Sequence, residues 1–159
     1  MHCQFLCSKH RALLTDRLAA TAPIWSSWMR KGEACRARSE HDQSIQYFGC
    51  ALDLSILLIE RYTAHGELEG QRHVERLLAS GLALSAALAR CGHLALRRTF
   101  LDKIGDIHYR EQLRTPLMAE RLPPWDSQNV LALDGYLRLT KPWLTEGQPG
   151  TESFTMSIN

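Results

Sequence analysis

Two thiols and an imidazole near the N-terminus form the first group of residues that could do chemistry. Cys3, Cys7 and His10 are spaced i, i+4 and i+7, so on a helix they would share one face. Thiolate and imidazole groups are ligands that zinc prefers. The spacing does not match a known zinc finger and no fourth ligand is evident, so we prefer the alternative of small thiols packed near the chain start. We therefore expect neither a metal nor a cofactor.

A second group, Asp102, Lys103, Asp106 and His108, could exchange protons with a substrate. The same string is typical of the solvated face of an amphipathic helix, and we prefer that interpretation. The sequence contains no HExxH, Gly-x-Ser-x-Gly or phosphate-loop pattern. These observations predict a protein that is not an enzyme.

The composition favours one cytoplasmic domain. A chain of 159 residues is long enough to bury a core, and a net charge of +2 is too small to indicate nucleic-acid binding. Five cysteines, an odd number, are typical of reduced thiols in a cytoplasm. No apolar run approaches the length of a membrane span. We predict a helical domain over 1–145 and a disordered tail over 146–159.

The elements that must position these residues are predicted to be helices. Apolar residues at helical spacing, with Gly and Pro between them, predict five helices at about 8–20, 24–38, 40–65, 67–90 and 94–114. Ser39, at the start of Ser-Glu-His-Asp, is predicted to cap the third helix. Residues 129–139 fit either a short helix or a hairpin. The fold class is therefore all-α, built from antiparallel helical hairpins.

One stretch, Trp28 to Leu54, has the spacing of a repeat unit. Trp28 is followed by Gly32, and Phe48 and Ala51 fall at a large and a small position of the next helix. Small residues at 32 and 51 allow two helices to approach, and the two aromatic rings fill the space between them. The stretch resembles a unit of the tetratricopeptide repeat. Four positions depart from the family pattern: Lys31, Cys35, Ser44 and Ile56, which stands where the family usually has the Pro that ends the second helix.

A fainter second copy lies over 77–105. Aligning Ser85 with Gly32 places Gly92 at the turn between helices, but the offset exceeds the family's period of about 34 residues. The chain is accordingly either a divergent two-repeat array or a compact bundle of about five to six helices.

The resemblance implies a groove lined by the first helix of each unit. On this chain that position selects Met29, Arg30, Glu33 and Arg36, and the two arginines could bind carboxylates of an acidic peptide. We therefore predict a protein-interaction module or adaptor. The alternatives are a homo-oligomeric regulator or secretion-type chaperone that dimerises through its third and fourth helices, and a metal- or nucleic-acid-binding regulator.

Overall fold

The described residues of the chain form α-helices that pack against one another. A computed structural model describes residues 4–17, 20–61, 67–114 and Trp125, with side chains of the fourth helix described from Gly70 onward. The helices are α1 (Ser8–Thr15), α2 (Thr21–Ala37), α3 (His41–Arg61), α4 (Glu67–Arg90) and α5 (Leu94–Arg114). Over these ranges there is no strand, and the predicted all-α class is confirmed. The boundary at 145, the tail and segment 129–139 lie outside the described residues.

Helix α3 is the centre of the bundle. Residues 48–59 are all buried, as expected for a helix that is covered on every side. Helices α2 and α4 pack against α3, and α5 packs against α4. The apolar residues that recur at helical spacing along α3 are all buried: Ile45, Phe48, Leu52, Ile56 and Ile59. No helix in the described ranges combines the length and apolar character needed to cross a bilayer.

The seam between α2 and α3 uses the small and large residues that the sequence predicted. A Cβ atom on Gly32 would lie 2.5 Å from Cε1 of Phe48, so the ring occupies the space that a side chain would fill. Trp28 is 2% exposed and Ala51 is fully buried. The predicted packing roles are confirmed, while the repeat resemblance itself stays a prediction.

Two helix boundaries differ from prediction. Helix α1 ends at Thr15 and α2 begins at Thr21, so Pro23 lies inside the first turn of α2. Proline fits there because the first amides of a helix have no partner within it. The predicted bounds of α4 and α5 are confirmed.

The prediction that Ser39 caps α3 is wrong. Ser39 has φ 61°, and its amide donates to the Arg36 carbonyl while the Glu40 amide donates to the Cys35 carbonyl. This pair of hydrogen bonds is the Schellman motif, which ends a helix. Ser39 therefore terminates α2, and the turn at Gly92 (φ 75°) ends α4 in the same way.

We expect Ser39→Gly to stabilise the protein by about 0.5–1 kcal/mol, because a non-glycine residue in the left-handed region is strained. Ser39 is exposed, so no packing is lost with its side chain. Urea denaturation of the variant and the wild type measures the difference. An unchanged or lower midpoint would contradict the assigned geometry.

Candidate functional site

A groove of about 920 Å³ lies between the N-terminal residues, α1, α3 and α5. Its base is apolar and closed, because Ile56, Phe100 and Ile107 are 6%, 2% and 5% exposed. Helix α4 holds the two long walls in place by packing against both α3 and α5. The groove is therefore a surface feature with a fixed floor.

The α5 wall of the groove is charged. Lys103 and Arg110 follow the apolar base residues at helical spacing, and Asp102 and Asp106 lie one row further out. Tyr109 is 62% exposed at the rim. Within the described part of the chain none of these four charged residues forms an ion pair. The wall thus carries exposed charges of both signs.

The opposite wall is closed by a contact between α1 and α3. Arg11 Nη2 lies 3.2 Å from Glu60 Oε2, and both side chains are partly exposed. An exposed pair of this kind contributes about 0–1 kcal/mol. It connects α1 to α3 without fixing it strongly.

Asp53 lines the groove and is 2% exposed. Its Oδ2 atom accepts hydrogen bonds from the backbone amides of Phe5 (2.7 Å) and Leu6 (2.9 Å). Burial raises the pKa of Asp53, while the two amides and the charges of Lys103 and Arg11 lower it. Asp53 therefore holds backbone in place. A carboxylate within the apolar run of α3 was the one sequence signal that could have indicated this role.

Residues Gln4–Cys7, here called the N-terminal strap, cross α3 beside Asp53. The Phe5 ring occupies the space where a Cβ of Gly49 would lie, and its centroid is 5.6 Å from that of Phe100. Leu6 is 3% exposed. The strap thus packs between α3 and α5 beside the groove, which Gln4 of the strap also lines.

The metal candidates are only partly brought together. Cys7 Sγ lies 3.0 Å from His10 Nδ1 on the surface, whereas Cys3 lies outside the described residues. Over the described ranges, no three potential ligands cluster around a common point. Cys35 and Cys50 are buried thiols, and burial raises the pKa of Cys50 to about 12.

The predicted partner patch lies along α2. Arg30 is exposed, and Met29 is half-buried against the core. Arg36 Nη2 lies 2.5 Å from Glu33 Oε2. A partner carboxylate would bind Arg30 directly and would compete with Glu33 for Arg36. The patch stays a prediction.

The structure places the candidate acid–base residues at two different locations. Asp102, Lys103 and Asp106 line the groove, whereas His108 is 1% exposed and its ring centroid lies 6.4 Å from that of Trp125. Among the residues that the structure describes, neither ring nitrogen of His108 has a hydrogen-bond partner. Burial therefore lowers the pKa of His108.

This burial predicts a loss of stability in acid. The unfolded chain protonates His108 near pH 6.5 and the folded chain only at a lower pH, so the free energy of unfolding falls as the pH drops below about 6.5. His108→Leu should flatten that dependence in urea titrations between pH 7.5 and 5.5. The exposed His93→Leu variant should keep the wild-type slope. Identical slopes for wild type and His108→Leu would contradict the assignment.

No protein-family model matches the chain, and neither the curated proteins nor the solved structures include a significant match.

Proposed function

We propose that the chain is a non-catalytic protein-interaction module that binds a peptide segment of a partner in the groove between α1, α3 and α5. The observation that carries this proposal is the groove itself, about 920 Å³ with a closed apolar base and charged walls. Its volume is typical of binding pockets, which span about 300–1,000 Å³. Helical walls of this kind commonly bind amphipathic segments.

The chemistry of the lining residues supports binding over catalysis. The described residues that line the groove include no Cys, Ser or His. Asp53, the most buried carboxylate among them, already accepts two backbone hydrogen bonds. The exposed charges of Lys103 and Asp106, which form no ion pair within the described ranges, suit ion pairs with a partner.

The burial of α3 favours this proposal over homo-oligomerisation through the third and fourth helices. Residues 48–59 of α3 are covered within the same chain, so they offer no free apolar face for a second copy. The proposal predicts a monomer in size-exclusion chromatography with light scattering. A stable dimer at micromolar concentration would favour the homo-oligomeric alternative.

Capture from an extract of the source cell tests the groove. We expect Lys103→Glu/Arg110→Glu to reduce recovery of a reproducible partner by about tenfold or more, because reversed charges repel what the wild-type wall attracts. The matched control is Arg90→Glu/Arg98→Glu, which reverses two exposed charges outside the groove. Equal recovery by all three proteins would contradict the groove as the binding site.

The α2 patch is tested in the same assay. Arg30→Glu/Arg36→Glu should weaken capture of an acidic partner if the patch contributes, by about tenfold if both arginines bind carboxylates. Circular dichroism checks that the helix content is unchanged. Retained capture by this variant, together with loss in the groove variant, would assign binding to the groove alone.

A further inference from the structure

We propose that the pocket holding Phe5 and Leu6 is a peptide-recognition site and that the N-terminal strap is its built-in competitor. A partner segment with an aromatic residue followed by leucine, in extended conformation, displaces the strap and continues into the groove. This inference rests on the proposed function and identifies the chemistry of the partner. The strap itself shows what the pocket accepts.

Recognition of the main chain comes from Asp53. Its Oδ2 atom accepts the amides of two consecutive residues at 2.7 and 2.9 Å. Hydrogen bonds to a charged acceptor are stronger than neutral ones, and a buried carboxylate left without them is costly. When the strap leaves, Asp53 loses both hydrogen bonds, and this favours binding of another segment that can donate them. Any segment presenting two amides in the same arrangement supplies it.

Recognition of side chains comes from Gly49 and Phe100. The Phe5 ring fills the space that a side chain at position 49 would need, and it packs against the Phe100 ring at 5.6 Å with the planes tilted by 33°. Tilted ring pairs at this distance are favourable. Leu6 follows into a site where it is 3% exposed. The pocket therefore selects an aromatic residue and then an aliphatic one.

The strap is a short segment that is held by the side chains of Phe5 and Leu6 and by the two hydrogen bonds to Asp53. It is not helical, and Leu14 is the buried residue of the α1 helix that follows it. The exposed Arg11–Glu60 ion pair also joins α1 to α3. Segments with few buried contacts open at a free energy well below that of global unfolding. Opening of the strap and α1 exposes Leu6 and Leu14, which pack in the common core, while the contacts between α3 and α4 remain to hold the other helices together.

The pocket and the groove are continuous. Gln4 belongs to the strap and also lines the groove. Asp53 and Phe100 contact the strap and line the groove as well. A partner segment that replaces Phe5 and Leu6 therefore continues over the base of the groove, which Ile56 and Ile107 form. The pocket binds the aromatic residue and the leucine of the partner segment, and the groove binds the rest of that segment.

The test uses the full chain and a probe copied from the strap. The probe is acetyl-Gln-Phe-Leu-Ser-Ser-Lys-amide with a fluorophore on its lysine, and serine replaces cysteine to prevent disulfide exchange. We expect Phe5→Ala/Leu6→Ala to bind it about tenfold or more tighter than wild type, whose own strap competes; tenfold corresponds to about 1.4 kcal/mol. Fluorescence anisotropy gives both affinities.

Two modified probes test the recognition chemistry without altering the protein. N-methylation of the phenylalanine and leucine amides removes the hydrogens that Asp53 accepts, and replacement of phenylalanine by alanine removes the ring; each should weaken binding by about tenfold or more. Adding Gly49→Val to the strap variant should have the same effect, with helicity checked by circular dichroism. If the double strap variant does not fold, Phe5→Ala alone takes its place.

Equal affinity of wild type and strap variant, or equal binding of the N-methylated probe, overturns the inference. A wild-type dimer that is lost in the strap variant also overturns it, because the occupant would then be a second copy. If capture from the extract depends on Lys103 and Arg110 while the probe does not bind, the proposed function stands and this inference fails. If the probe binds and no partner is captured from the extract, the pocket recognises the strap sequence, and the proposed binding of a partner protein is contradicted.

Discussion

Trp28→Ala should lower the free energy of unfolding by about 3–5 kcal/mol, the usual cost of deleting a large buried aromatic side chain. Trp28 is 2% exposed in α2 and belongs to the same core cluster as Phe48 and Leu52 of α3. Truncation leaves a cavity at the seam that the neighbouring Gly32–Phe48 contact cannot fill, since the ring already lies against the glycine. A domain of this size commonly has a total stability of about 5–15 kcal/mol. The loss would be a large share of it.

Urea denaturation followed by circular dichroism measures this effect. Trp28→Phe should lose less, because most of the aromatic volume remains. Tyr109→Ala is the matched exposed control, with 62% of the residue in solvent, and surface changes of this kind stay within about 0.5 kcal/mol. A loss below about 1 kcal/mol for Trp28→Ala would mean that this ring does not anchor the α2–α3 seam.

Gly49→Val should destabilise the protein by about 1–3 kcal/mol, the typical cost of overpacking. Any Cβ at position 49 would collide with the Phe5 ring, so the strap must shift away from Asp53. The intrinsic helix propensity of valine exceeds that of glycine, and the effect therefore runs against the secondary-structure preference. Ala34→Val, at an exposed position of α2, controls for the β-branched side chain in a helix.

A double-mutant cycle assigns the cost to the strap. In a Phe5→Ala background the ring is gone, so Gly49→Val should cost at least about 0.5 kcal/mol less than in the wild type, which is the coupling expected of contacting residues. Additive effects of the two substitutions would place the clash elsewhere. The same variants provide the folded controls for probe binding.

Helix identity and most boundaries follow from local sequence. The end of α4 and the start of α5 were predictable because Gly92 occupies the left-handed position that few other residues adopt readily. The end of α2 was not predictable, because only the backbone geometry shows that Ser39 takes the left-handed conformation there. The string Ser-Glu-His-Asp matches a helix start equally well. Local patterns do not decide between the two.

The groove was beyond prediction for a different reason. Its parts come from Arg11, Asp53 and Lys103, which lie on three helices, and only the packing around α4 decides that they face one space. The α2 patch, by contrast, was predicted from a family resemblance that assigns function by position along one helix. The sequence could have indicated that Asp53 has a hydrogen-bond partner, because a carboxylate within a buried apolar run requires one. Its partners, two backbone amides 47 and 48 residues away, are invisible in the sequence.

Binding of a partner protein in the groove can be observed in the source cell with a photo-crosslinking residue at position 109 of the full chain. Tyr109 is exposed on the groove wall, and the controls carry the crosslinker at the exposed Leu94 outside the groove and at Arg30 on α2. We predict a discrete crosslinked partner from position 109, none from position 94, and loss of the crosslink on adding Lys103→Glu/Arg110→Glu. A crosslink of equal yield from positions 94 and 109, or none from position 109, would contradict the account.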